Sequence, residues 1–119
     1  MAEAVVFHHG AAETFSAGAD IVGGQLVYLS AANTVSPTSA ASSAVRGVAA
    51  NDAKSGAKVT VLSGGVYEVP ASGAIAAGAL VVSGADGAAV TVGSNTFDKL
   101  VGIAEAAAAS DKVRIKLFR

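Results

Sequence analysis

Residues 21–27 read Ile-Val-Gly-Gly-Gln-Leu-Val and residues 75–81 read Ile-Ala-Ala-Gly-Ala-Leu-Val, one pattern, I-x-x-G-x-L-V, written twice 54 positions apart. Two further blocks keep the order and the spacing. Gly47-Val48-Ala49 returns as Gly102-Ile103-Ala104 after 55 positions, and Lys58-Val59-Thr60-Val61 returns as Lys112-Val113-Arg114-Ile115 after 54. Self-similarity at a fixed period marks a structural unit used more than once. Each block also reads as strand. Val113, Ile115 and Leu117 alternate with Lys112, Arg114 and Lys116, the period of two that gives a strand one dry and one wet face. Val59 and Val61 repeat the pattern, and Gly24 and Gly78 stand just ahead of a Leu-Val pair, where a tight turn calls for positive φ.

These signals predict strands over Leu26–Leu29, Val45–Ala49, Val59–Leu62, Val66–Val69, Leu80–Val82, Val101–Ala104 and Val113–Leu117. The predicted core holds Leu26, Val48, Val59, Val61, Leu80, Ile103, Val113 and Ile115. Residues 30–43 have no periodicity and are read as an exposed loop. The alanine run 104–109, bounded by Gly102 and Ser110-Asp111, is too short for more than one helical turn. The fold expected is all-β, a single compact barrel or sandwich built from two pseudo-repeats of about 54 residues. Repeat one covers 20–65 and repeat two 73–119 of a single domain, 20–119. Residues 1–19 precede it as an N-terminal arm or edge strand.

Composition agrees. The chain has 119 residues, the size of one domain, and 28 of its apolar residues are alanine, which leaves a modest set of larger side chains for the core. Valine outnumbers leucine and isoleucine together, and 14 glycines stand against 2 prolines, a composition of short strands and tight turns. A net charge of -1 supplies no long-range field toward nucleic acid or an anionic membrane. With no cysteine, disulfides, thiolate metal sites and cysteine nucleophiles are excluded. The opening MAEAVVFHHG is not read as a secretion signal, and the Ala/Gly/Ser-rich stretch 68–86 is too weakly apolar to span a bilayer.

Motifs for chemistry are missing. The text nearest a phosphate loop, Lys54-Ser55-Gly56-Ala57-Lys58, lacks the Gly-Lys-Ser/Thr that phosphate and Mg²⁺ need, and neither G-x-G-x-x-G nor G-x-S-x-G occurs. His8 and His9 are the only histidines; neighbours on a strand face opposite sides and chelate one ion poorly, unless copies meet at a symmetry axis. Asp20, Asp52, Asp86 and Asp111 sit beside turn formers and are expected to cap backbone amides. Lys112, Arg114, Lys116 and Arg119 form a basic stripe, read as a solvated face that protects a strand edge.

The stretches IVGGQLVYL, RGVAANDAKSGAKVTV, GGVYEVP, AIAAGALVV and VGIAEAAAASDKVRIKL, between Gly18 and Leu117, resemble the small tailed-phage capsid decoration, or cement, proteins, some once labelled predicted recombinases. The most specific piece is GVYEVPASGAIAAG. The resemblance implies a non-enzymatic structural virion protein, a compact β domain. It would be a homotrimer on the outer surface of the capsid, binding the major capsid protein shell and made in the host cytoplasm. It implies no cofactor, no metal, no nucleic acid and no membrane partner. The recombinase label lacks its phosphate loop. A tail or head-fibre module is the alternative, and a small ligand-binding module a further one. Capsid or subunit contact is assigned to Val5, Val6, Phe7, His8 and His9, since an apolar extended segment can add a strand to a neighbour.

Overall fold

The computed structural model describes residues 11–119, so Val5, Val6, Phe7, His8 and His9 lie outside the described residues. The strands are β1 (Ala12–Ala17), β2 (Leu26–Ala31), β3 (Thr34–Pro37), β4 (Val45–Ala49), β5 (Lys58–Leu62), β6 (Val66–Pro70), β7 (Leu80–Ser83), β8 (Ala89–Thr91), β9 (Leu100–Ala104) and β10 (Lys112–Leu117). All seven strands predicted from the sequence are present. The first five close into a barrel in the order β1-β3-β2-β4-β5, and the last five form a sheet in the order β6-β10-β9-β7-β8. Traced from β8 to β6, the second order is the first advanced by five strands. One topology has been built twice.

The register repeats as well. Leu26 faces Val48 and Val27 faces Gly47 in the first unit, as Leu80 faces Ile103 and Val81 faces Gly102 in the second. The Gly-Val/Ile-Ala block exists because two strands nearly touch there: a Cβ at Gly47 would stand 2.1 Å from the Leu62 carbonyl oxygen, and one at Gly102 would stand 2.2 Å from that of Lys116. Gly24 and Gly78 take φ of 96° and 85°, and their amides donate to Ala49 O and Ala104 O, both at 2.8 Å. Ala12–Ala17, placed outside the repeat by sequence, pairs with both β3 and β5 as an interior barrel strand and is the counterpart of Val66–Pro70.

One proline accounts for the difference between the units. In the first, parallel pairing of β1 with β3 closes the barrel, and the Ser16 amide donates to Asn33 O at 2.9 Å. Pro70 stands where Ser16 does and has no amide hydrogen, so that rung is lost. The second sheet is left with a single parallel bridge, Ala71 to Ala89.

Two cores result. Phe15, Ala17, Ile21, Val27, Val35, Ala49, Ala53, Val59 and Val61 fill the first barrel. The second cluster holds Val69, Ile75, Val81, Val101, Val113 and Ile115, and Leu26, Val45 and Val48 join it from the first barrel's outer surface. Six of the eight predicted core residues are buried. Leu80 and Ile103 are only half-buried, because both project from the outer face of the second sheet; Val81 and Val101 are the residues turned inward. The loop predicted over 30–43 is also corrected. Asn33, at φ 53°, makes a tight turn between β2 and β3, Val35 and Thr38 are buried, and the irregular path begins only after Pro37.

The units are joined by polar contacts. Gln25 Nε2 donates to Asp86 O at 3.0 Å, Thr38 Oγ1 to Gly84 O at 2.8 Å, and Ser83 Oγ to Ala40 O at 2.8 Å. Arg119 does not belong to a solvated stripe: its guanidinium donates to the carbonyls of Leu100, Ser43, Val45 and Asp98, clamping the C-terminal strand to the first unit.

Candidate interaction surface

One cleft, about 240 Å³, is lined by Asp20, Ile21, Val22, Asp52, Ala53 and Lys54. Its carboxylates are committed to backbone. Asp52 Oδ1 accepts from the Gly23 amide at 2.7 Å and Asp20 Oδ1 from the Ser55 amide at 3.0 Å, while Lys54 Nζ lies 3.7 Å from Asp20 Oδ2. They cap turns, as the sequence suggested for these two. Asp86 and Asp111 serve the turns differently, by taking left-handed backbone at φ 58° and 60°. Among the described residues no group of three His, Cys, Asp or Glu side chains is placed to hold a metal ion. No helix of the described residues is long and apolar enough to cross a membrane.

The basic stripe also takes a different setting. Lys112, Arg114 and Lys116 are exposed, but β10 lies between β6 and β9, so the charges do not protect an edge. Arg114 faces Glu68 and Lys116 faces Ile103 across the sheet.

What the outer surface offers instead is apolar. Leu80, Val92, Leu100 and Ile103 are half-buried on one face of the second unit. Phe97, in the turn leading into Leu100, is 82% exposed. Beside it the Thr96 hydroxyl donates to the Asp98 carboxylate and is the main cause of an Asp98 pKa below the ordinary value. Sequence reasoning missed this face by assigning Leu80 and Ile103 to the interior. The signal available was the change from Thr38 in the first unit to Val92 at the same place in the second, a buried polar residue in one copy and an apolar one in the other.

A family model of phage cement proteins matches residues 6–118, which span both units. The chain belongs to the phage cement protein family. This cement protein is therefore a structural virion protein. Its fold is similar to that of a solved structure described as the crystal structure of head fiber gp8.5 N base in bacteriophage phi29. The TM-score is 0.67 at 21% identity, over 90% of this chain and 92% of that one. A comparison with curated proteins gives no match.

Proposed function

We propose that this cement protein binds the outer surface of a phage head as a homotrimer and stabilises the shell formed by the major capsid protein. The observation that carries this reading is the family match over 6–118, because it includes both units and the segment before the first. The physical setting supports it: the carboxylates of the cleft at Asp20 and Asp52 are committed to backbone, whereas the second unit keeps an apolar outer face. Such a protein needs no enzymatic activity, cofactor, metal, nucleic acid or membrane. Purified particles test the reading through copy number: a cement role requires occupancy in proportion to the shell protein. A head-fibre base, favoured by the fold shared with the phi29 protein, would show a different stoichiometry.

Val5, Val6, Phe7, His8 and His9 are proposed to contact the shell or a neighbouring subunit. An extended segment contributes ladder hydrogen bonds while alternate side chains fill pockets. Ordering it costs about 1–2 kcal/mol per residue in backbone entropy, so each contact is weak and many equivalent sites are needed for tight binding. Removing Met1–His9 is expected to leave the melting temperature nearly unchanged and to abolish occupancy on particles. A large fall in melting temperature would assign the segment to the fold instead.

A further inference from the structure

The two units of one chain meet head to tail. The first contributes Gln25, Leu26, Thr38, Val45 and Val48, which are covered by the second unit and its turn 83–87. A twofold contact would also place the counterpart turn of the first unit, 29–33, on the counterpart residues of the second. That reverse contact is absent. Residues 29–33 are exposed, and Leu80, Val92, Leu100 and Ile103, which correspond to Leu26, Thr38, Val45 and Val48, are left half-buried. A heterologous contact made once leaves its two complementary surfaces unfilled at opposite ends of the molecule.

We propose that a second copy of this chain fills them, the turn 29–33 of one copy seating on Leu80, Val92, Leu100 and Ile103 of the next. The interface between copies then continues the one that joins the units within a copy. Side-chain volumes fit this continuation. Within the chain, Gly87 approaches Gln25 so closely that a Cβ on it would lie 2.5 Å from Gln25 Cβ. Between copies the corresponding pair is Asn33 with Ala79, so the bulk moves to the other partner while the gap stays filled. Polarity follows the same logic. Thr38 and Ser83 bond to backbone carbonyls across the covalent junction, and their counterparts are Val92 and Leu29, apolar groups suited to a surface that exists first exposed and then buried. Leu29 is 42% exposed.

This inference takes the self-association of the proposed trimer and names its surfaces. Three chains in a ring would alternate three junctions within chains with three between them, closing the heterologous contact.

The chain's lack of cysteine provides the test. Ala32 and Ala79 are the counterparts of Asp86 and Gln25, which meet within the chain, so Ala32→Cys and Ala79→Cys should meet only between copies. Oxidising a mixture of the two single variants should give a disulfide-linked dimer that neither gives alone, and the double variant should give a covalent trimer. Leu29→Asp should abolish that cross-link while leaving the melting temperature within a few degrees. Self-linking of Ala79→Cys alone would show a twofold contact and overturn the proposal, as would no mixed disulfide at any concentration reached. Trimers by light scattering without the mixed disulfide would overturn these surfaces and leave the trimer standing; monomers bound to particles would overturn both.

Discussion

Gly47 and Gly102 show how one residue type can be required twice for one reason. Each lies where a facing carbonyl leaves no room for a side chain, at 2.1 and 2.2 Å from an added Cβ. Gly47→Ala and Gly102→Ala should each destabilise by about 1–3 kcal/mol or more, through forced separation of the strands. Gly73→Ala, which meets nothing within 4 Å and bears only the strain of φ 77°, should cost less in the same denaturant titration. Asp98 supplies a test of a different kind. The Thr96 hydroxyl is the largest of the influences that hold its pKa low, with its own backbone amide, Lys99 and Arg119 adding to it and desolvation opposing. A folded-state pKa below the unfolded one favours the fold above the ordinary carboxylate range, and that contribution is lost as pH falls through the lowered value. Thr96→Val should move the Asp98 titration, followed by carboxyl-carbon NMR, upward toward the ordinary value. At this scale the glycine blocks were legible because they repeat; the Thr96–Asp98 contact was not, because nothing in a two-residue spacing signals its geometry.

Among the strands, long alternating runs were readable and short ones were not. β10 spells out its two faces over six residues, whereas β3 and β8 have four and three, too few to establish a period. Sequence places β1 outside the repeat, as an arm or edge strand, because its counterpart β6 carries a different sequence, Val-Tyr-Glu-Val-Pro against Ala-Glu-Thr-Phe-Ser, with only the hydrogen-bonding role held in common. Pro70 then decides that the second sheet stays open where the first closes. The turn after β7 depends on a buried polar contact: Thr38, 1% exposed, donates to Gly84 O at 2.8 Å. Thr38→Val keeps the shape and leaves that carbonyl unpaired, so stability should fall by about 1–3 kcal/mol. Thermal or denaturant unfolding measures it, and an unchanged midpoint would show that the contact between units is carried by apolar packing alone.

At the level of the whole molecule, the repeat was legible and its packing was not. Sequence spacing gives the content of each unit, but the rotation between units depends on which outer faces meet. Assigning Leu26 and Leu80 to the same environment was the natural reading of a repeat; the head-to-tail arrangement buries the first completely and leaves the second half-exposed. Function was readable for another reason. The family likeness, running through both units, supplied what local chemistry could not. The central claim is that a cement protein built of two tandem β units coats a phage head. Imaging purified particles by electron cryomicroscopy, with this chain counted against the shell protein, tests it most directly. The account predicts paired β units, one a closed barrel and one an open sheet, on the outside of the shell, three chains to a site, in numbers that scale with the shell protein. Particles that lack the chain, or carry it only at the tail or at a few isolated positions, would contradict it.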